Sequence, residues 1–229
     1  MMSEQNNLEL EQARQAYTQG DFKKARDIWE TQAEAGTAEA QAWLGSMYAN
    51  GDGVDVDNTT ALAWYEKAAH QNHAMAQANV GAMYFMGQGS EKNVSSAIKW
   101  LKAAADNNDV NGLFNLAVIY SKGEDVDEDQ EQAAELYRKA AEQGHYPSQS
   151  RLGYMYAHGQ GVEKDRILAY LWLTLASQHG IGTALAALET VVKSMSSEEK
   201  AMGATLVEQW RNKTGSDRMQ VALNPTPSN

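Results

Sequence analysis

Small and apolar residues recur along the chain at positions i, i+4, i+7 and i+8, which is the spacing of one buried face of an α-helix. Ala40, Leu44, Met47 and Tyr48 form the first clear series, and the series returns every 36 residues. A glycine follows three residues after each tyrosine, where a left-handed residue ends a helix without strain. These glycines predict the ends of four helices: Gly51, Gly87, Gly123 and Gly159.

A second helix is predicted after each of these glycine loops. An Asp or Asn stands four residues before a constant alanine, and its side-chain oxygen suits the free N–H groups at a helix start. The expected N-caps are Asp57, Asn93, Asp129 and Asp165. A small residue also stands three positions before each tyrosine, where it would let a neighbouring backbone come close. These small residues are Gly45, Gly81, Ala117 and Gly153.

The same alignment predicts the organisation of the whole chain. Each period holds two antiparallel helices, and the four periods are residues 38–73, 74–109, 110–145 and 146–181. Residues 1–37 form a shortened, tetratricopeptide-like hairpin, and residues 182–213 form capping helices that cover the last apolar face. Ser196 and Glu199 predict a capping box at the start of the final helix. Residues 214–229 are polar, contain two of the three prolines and predict a flexible tail.

The repeated residues carry a resemblance to a known family. The pattern A-x-A-Q-x-x-L-G-x-M-Y-x-x-G-x-G-V, which begins at Ala38, resembles the Sel-1-like repeat family, a relative of tetratricopeptide repeats. The resemblance implies an all-α fold, a right-handed α-α superhelix or repeat solenoid. It also implies an adaptor or scaffold in bacterial signalling, envelope biogenesis or secretion.

The third repeat departs from the family pattern at four positions. They are Gly112 for alanine, Ala117 for glycine, Asp125 for the second loop glycine and Leu136 for tryptophan. Looser packing is expected there. Secreted members of the family often carry a cysteine pair that bridges helices, and this sequence has no cysteine. The comparison therefore favours a reducing compartment.

Composition narrows the classes of partner. The formal net charge of −11 and the pI of about 4.9 oppose binding to nucleic acid or to anionic lipid, because both need a basic surface. The N-terminus has no basic segment followed by an apolar one, and the most apolar run, residues 167–176, is about half the length that crosses a bilayer. We therefore expect a cytoplasmic protein whose partner is a protein or peptide, without membrane insertion.

Candidate binding residues lie on the first helix of each repeat. Positions 2, 6, 9 and 13 of a repeat share one helical face, vary between repeats, and would line the concave surface of a helical-hairpin solenoid. Together with the flanking Phe85 and Phe114, they suggest a groove for an extended peptide or a partner helix. The predicted partner-binding residues are Trp43, Asn79, Phe85, Met86, Asn115, Val118, Arg151, Tyr154 and His158. The alternative is that some of these side chains pack between neighbouring hairpins.

Motifs for catalysis, cofactors and metals lack their required context. The Gly-x-Gly loops have no third glycine, and the S-x-x-K at Ser96 and the K-T-G at Lys213 occur without their partner motif. The H-x-x-H at His70 has no acidic ligand in a fixed relation to it. The acidic run 125–129 resembles a calcium loop, but Gln130 and Leu136 stand where glycine and glutamate are needed. We expect no catalytic, cofactor-binding or metal-binding residue and no enzyme.

These observations favour a non-enzymatic scaffold or adaptor that binds its partner in the concave groove. Two loops concentrate the negative charge, one with Asp52, Asp55 and Asp57 and one spanning 124–131. They leave open an inhibitor or immunity protein that neutralises a basic toxin. A hydrolase is the weakest alternative.

Overall fold

The structure, a computed structural model, describes residues 2–123 and 125–215. Within these residues there are twelve α-helices and no strand. The helices are α1 (Met2–Thr18), α2 (Phe22–Glu34), α3 (Ala38–Asn50), α4 (Asn58–Ala69), α5 (Ala74–Met86), α6 (Val94–Asp106), α7 (Val110–Lys122), α8 (Gln130–Glu142), α9 (Tyr146–His158), α10 (Arg166–Ser177), α11 (Gly182–Ser194) and α12 (Ser197–Thr214). The all-α repeat fold expected from the sequence is confirmed. Of the tail predicted at 214–229, Thr214 is helical and ends α12, and residues 216–229 lie outside the described residues.

Glycines end the first helix of every repeat, as predicted. Gly51, Gly87, Gly123 and Gly159 directly follow α3, α5, α7 and α9. Their φ angles are 78°, 70°, 61° and 72°, in the left-handed region that residues with a Cβ atom rarely adopt. The helix lengths are therefore fixed by single positions in the sequence.

The predicted N-caps of the second helices also form. Asp57 accepts from the N–H groups of Thr59 and Thr60, both at 3.0 Å, and from the hydroxyl of Thr60 at 2.6 Å. The hydroxyl contact first, and then the N–H contacts, lower the pKa of its carboxyl group. Asn93, Asp129 and Asp165 accept in the same way at the starts of α6, α8 and α10. The capping box of Ser196 and Glu199 is present at α12.

The glycines three residues before the repeat tyrosines allow a close contact, as expected, but the group that approaches them is a side chain and not a backbone. A Cβ atom at Gly45 would lie 2.7 Å from the ring of Tyr65, and one at Gly153 would lie 2.7 Å from the side chain of Leu173. The neighbour is therefore a large buried side chain of the second helix rather than a backbone. The glycine makes room for it within one hairpin.

The described residues divide into two compact units. The first comprises residues 2–112 and the second residues 113–123 and 125–215. In the first unit, α1 packs on α2, α3 on α4 and α5 on α6, and each hairpin contacts the next. In the second unit, α8 packs on α9, α9 on α10, and α10 on both α11 and α12. Each unit buries aliphatic and aromatic side chains between its helices.

None of the described helices combines the length and the apolar character needed to cross a membrane.

Candidate functional site

Trp43, the first predicted anchor, lies in the core of the first unit. Its side chain is 5% exposed, and its ring stacks on that of Trp29 with centroids 4.7 Å apart and planes at 9°. Its Nε1 donates to Glu39 at 3.4 Å. The prediction that Trp43 is a surface anchor is wrong, because α2 supplies a second tryptophan that covers it. For this residue the alternative, packing between hairpins, holds.

The polar residues of the same stripe are also engaged within the first unit. Asn50 donates to Ser46 at 3.3 Å and to Asp52 at 3.2 Å. Tyr17 of α1 donates its hydroxyl to the same Asp52 carboxylate at 2.6 Å. Burial, followed by this carboxylate, raises the pKa of Tyr17. The N-terminal hairpin therefore occupies the stripe of the first repeat.

The second repeat presents one strongly exposed residue of the predicted set. Met86 is 57% exposed. Phe85 is half-buried, with Nζ of Lys92 lying 5.3 Å from its ring centroid. Asn79 is half-buried and donates to the sulfur of Met75 at 2.9 Å.

The second unit brings three predicted residues together on the exposed face of α9. Arg151, Tyr154 and His158 are all exposed, whereas Asn115 and Val118 on α7 are half-buried. Tyr154 is 44% exposed.

The rings of Tyr154 and His158 stack on the surface of α9, with centroids 4.0 Å apart. Nδ1 of His158 lies 2.8 Å from the carbonyl oxygen of Tyr154, so Nδ1 carries the proton and donates. In the neutral ring this leaves Nε2 as an acceptor. The pair offers an aromatic surface with a polar edge.

These residues line an open groove between α9 and α11, with a volume of about 880 Å³. The α9 side contributes Pro147, Ser150, Arg151, Tyr154, Ala157 and His158. The α11 side contributes Thr183, Ala186, Ala187, Thr190, Val191 and Ser194. Phe114, Lys164, Arg166, Leu173 and Ile181 complete the lining. The sequence prediction did not include the α11 residues, which lie outside the repeats; their spacing of three and four residues along one helix face is the signal that could have identified them.

The floor of the groove is apolar and rigidly supported. The ring of Phe114 packs against Tyr137 and His145, with centroids 5.8 Å and 5.0 Å away. Leu173 is fully buried beneath the opening. The α11 wall carries mainly alanine and threonine, which are too short to fill the space opposite α9. The groove is therefore open because one of its walls has small side chains.

Positive charge lines this groove. Its ionised side chains are Arg151, Lys164 and Arg166, and no Asp or Glu is among the described residues that line it. Arg166 is engaged, since it donates to the carbonyl oxygen of Ser194 at 3.1 Å and pairs with Glu199 at 3.2 Å.

Lys164 lies at the C-terminal end of α9. A Cβ atom placed on Gly159 would be 3.4 Å from Cβ of Lys164. Neither Lys164 nor Arg151 forms an ion pair within the part of the chain that the structure describes.

Arg151 keeps its charge uncompensated. Burial raises the pKa of the nearby Tyr137 phenol to about 12, and the positive charge of Arg151 opposes this rise. The phenol is therefore neutral at physiological pH and does not neutralise the guanidinium.

Three acidic residues of the two loops have structural partners, whereas Asp55, Asp127 and Glu131 are exposed. Asp57 and Asp129 cap helices and Asp52 accepts from Tyr17 and Asn50, while Glu124 lies outside the described residues.

The two histidines of the H-x-x-H motif make separate contacts. The ring of His70 packs against that of Trp100, with centroids 5.0 Å apart, whereas Nδ1 of His73 accepts from the N–H of Ala76 at 3.3 Å. Among the described residues no group of three His, Asp or Glu side chains is arranged to hold a metal.

Paired helices, glycine loops between them and a groove beside the last repeat define a helical-repeat protein of the tetratricopeptide-like class. Four segments, residues 38–73, 74–109, 110–145 and 147–181, match the Sel1 repeat. The chain belongs to the Sel1 repeat family, whose members generally mediate protein–protein interaction on a non-catalytic scaffold.

Solved structures of bacterial proteins share this fold. A protective antigen present in uropathogenic Escherichia coli strains, displaying an SLR fold, is 29% identical with a TM-score of 0.82 over 99% of this chain and 52% of the antigen. This chain thus spans about half the length of that antigen. A Sel1 repeat protein from Oxalobacter formigenes is 27% identical, with a TM-score of 0.71 over 91% of this chain and 85% of that protein.

A Sel1 repeat protein from Klebsiella pneumoniae, 22% identical with a TM-score of 0.56 over 82% of this chain and 93% of that protein, shares the fold alone. No match to the chain is found among curated proteins.

Proposed function

We propose that this chain is a non-catalytic binding module that holds a peptide or protein partner in the groove between α9 and α11. The observation that carries the proposal is the exposed face of α9, where Arg151, Tyr154 and His158 line an open cavity of about 880 Å³. Binding sites of this kind combine an apolar floor with a few polar groups that fix orientation. Tyr154 is the expected anchor, because a tyrosine brings a large apolar ring and a hydroxyl to an interface with little loss of side-chain entropy.

The wider role follows from the family. An adaptor in bacterial signalling, envelope biogenesis or secretion fits the Sel1 repeats and the bacterial source of the structural neighbours. A cytoplasmic location and the exclusion of nucleic acid stay predictions from sequence.

The inhibitor alternative has weaker support. It needs acidic loops that are free to meet a basic partner. Asp52, Asp57 and Asp129 are held by hydrogen bonds within the protein, which leaves Asp55, Asp127 and Glu131 exposed for such a contact. The groove presents Arg151 and Lys164, which form no ion pair among the described residues, beside the exposed ring of Tyr154. The hydrolase alternative has no supporting arrangement among the described residues.

Partner capture from the native cell tests the proposal. Tagged wild-type protein, Tyr154→Ala and Met202→Ala would be compared by quantitative mass spectrometry of the bound proteins. Met202 is a matched control, because it is 52% exposed on α12 and does not line the groove. We expect Tyr154→Ala to lose partners that Met202→Ala retains, with circular dichroism unchanged in both variants. Equal capture by Tyr154→Ala and wild type would overturn the proposal.

A further inference from the structure

The groove has a charge opposite to that of the chain. The repeat at 146–181 contains three basic and two acidic side chains, in a protein of net charge −11. Of the acidic pair, Asp165 caps α10 through the N–H groups of Ile167 and Leu168 at 2.8 Å and 2.9 Å, and Glu163 does not line the groove. A cationic lining favours a partner of negative charge and disfavours basic ones.

The cations are placed at two points along the groove. Arg151 lies seven residues before His158, which is about 10 Å along a helix at about 1.5 Å per residue. Lys164 lies beside the end of α9, close to Gly159. An extended peptide rises about 3.3 Å per residue and its alternate side chains share one face, so two side chains four residues apart, about 13 Å, would reach both points.

An aromatic surface lies between these two points. Tyr154 is three residues after Arg151 and four before His158, and both spacings keep side chains on the same face of a helix. Its exposed ring stands at the opening above Phe114 and Leu173, which gives an apolar side chain a place to bind between the two charges.

We propose that the groove binds an acidic peptide segment in extended form, with two carboxylate side chains four residues apart and an apolar side chain midway between them on the same face. Arg151 takes one carboxylate and Lys164 takes the other. This inference rests on the function proposed above and adds the chemistry of the partner.

Selection from a peptide library tests the inference directly, because the library samples many side-chain patterns at once. The probe is a library of random heptapeptides displayed with neutral linkers at both ends, so that only side chains supply carboxylates. Selections run in parallel on the wild-type protein, on the double variant Arg151→Glu with Lys164→Glu, and on Tyr154→Ala. All the substituted residues are exposed, and circular dichroism checks that each variant folds.

The wild type should enrich peptides with paired acidic residues and an intervening apolar residue, and the double variant should not. For an enriched peptide, fluorescence anisotropy should give a Kd about tenfold weaker for Arg151→Ala or Lys164→Ala, as expected when one charge-assisted contact is removed. Lys213→Ala, which removes a cation outside the groove, is the matched control and should change the Kd by less than about twofold.

The remaining outcomes separate this inference from the proposed function. Enrichment of neutral apolar peptides that depends on Tyr154 would support a binding groove and overturn its preference for acidic segments. Enrichment that neither Tyr154→Ala nor the double variant alters would overturn both.

Discussion

In the first unit, the stripe residues of the repeat at 38–73 pack inside the protein, whereas in the second unit the equivalent residues of the repeat at 146–181 face a groove. Trp43 and Arg151 occupy the same position of the repeat, yet one is stacked on Trp29 and the other carries an uncompensated charge. Ser46 and Tyr154 also share one position of the repeat, and Ser46 is buried whereas Tyr154 is exposed. Position in the repeat therefore sets which way a side chain points, and the neighbouring hairpin sets whether it is covered.

The difference lies in what each neighbouring hairpin supplies. In the first unit, α1 and α2 provide Tyr17, Trp29 and Arg14, and Arg14 donates from Nε to Glu39 at 2.9 Å. These side chains are long enough to reach the stripe and cover it. In the second unit, α11 faces α9 with Ala186, Thr190 and similar small residues. Since a repeat contacts only its neighbours, each end of an array can be modified without changing the repeats themselves.

The largest effect is expected from truncating the two aromatic members of the stripe. Trp43→Ala should lower the free energy of unfolding by about 3–5 kcal/mol, because it leaves a cavity against Trp29. Tyr154→Ala should lower it by less than about 1 kcal/mol, since much of that ring is already in water. Urea denaturation followed by circular dichroism measures both. Similar losses for the two variants would contradict the distinction between a covered and an open stripe.

The second prediction concerns a feature that the two units share. A Cβ atom at Gly161 would overlap the carbonyl oxygen of Gln130, and one at Gly89 would overlap that of Asn58. Both glycines also have positive φ. Gly161→Ala and Gly89→Ala should each destabilise by roughly 2–4 kcal/mol, from backbone strain and overlap together.

Gly144→Ala is the matched control for this pair. Gly144 has a φ of 87°, but a Cβ atom there would meet nothing within 4 Å. Only the strain of about 1–2 kcal/mol should remain. If all three variants lost the same stability in thermal and urea unfolding, close packing of the loops would play no part.

The third prediction is a pH dependence of stability that also compares the two units. Burial lowers the pKa of His145 to about 4 and lowers that of His73. Between about pH 4 and 6.5 the unfolded chain binds a proton at His145 that the folded chain does not, so stability falls as pH falls through this range. For His145 the loss is up to about 3 kcal/mol, complete near pH 4.

Replacing each histidine in turn measures its contribution to the pH dependence of stability. His145→Asn should flatten the decrease in urea-unfolding free energy between about pH 6.5 and 4, and His73→Asn should flatten it as well. The slope of the wild-type protein, measured in the same buffers, is the reference. An unchanged slope in His145→Asn would show that burial does not perturb this residue.

Much of the fold could be predicted because its signals are local. Gly51 ends α3 since only a glycine adopts its φ without strain, and Asp57 starts α4 since its carboxylate reaches the first free N–H groups. Such contacts join residues a few positions apart, so they can be read from spacing alone. The role of Gly45 was harder, because it depends on which side chain of α4 lies opposite.

The candidate site could be predicted only in part. The helical period placed Arg151, Tyr154 and His158 on one face, and the structure has them exposed together. The same period placed Trp43 on that face and missed that Trp29 covers it. It also missed α11, whose small residues carry no chemistry that a motif search would single out.

By itself, the sequence determined the number of repeats, the ends of their helices, the family and the absence of cysteine, because each of these depends on residue identity at a fixed spacing. The tertiary structure decided which stripe is covered and which is open, and that the open one is lined by cations in an acidic protein. Coverage depends on the reach of side chains from a neighbouring hairpin. No pattern within one repeat contains that information.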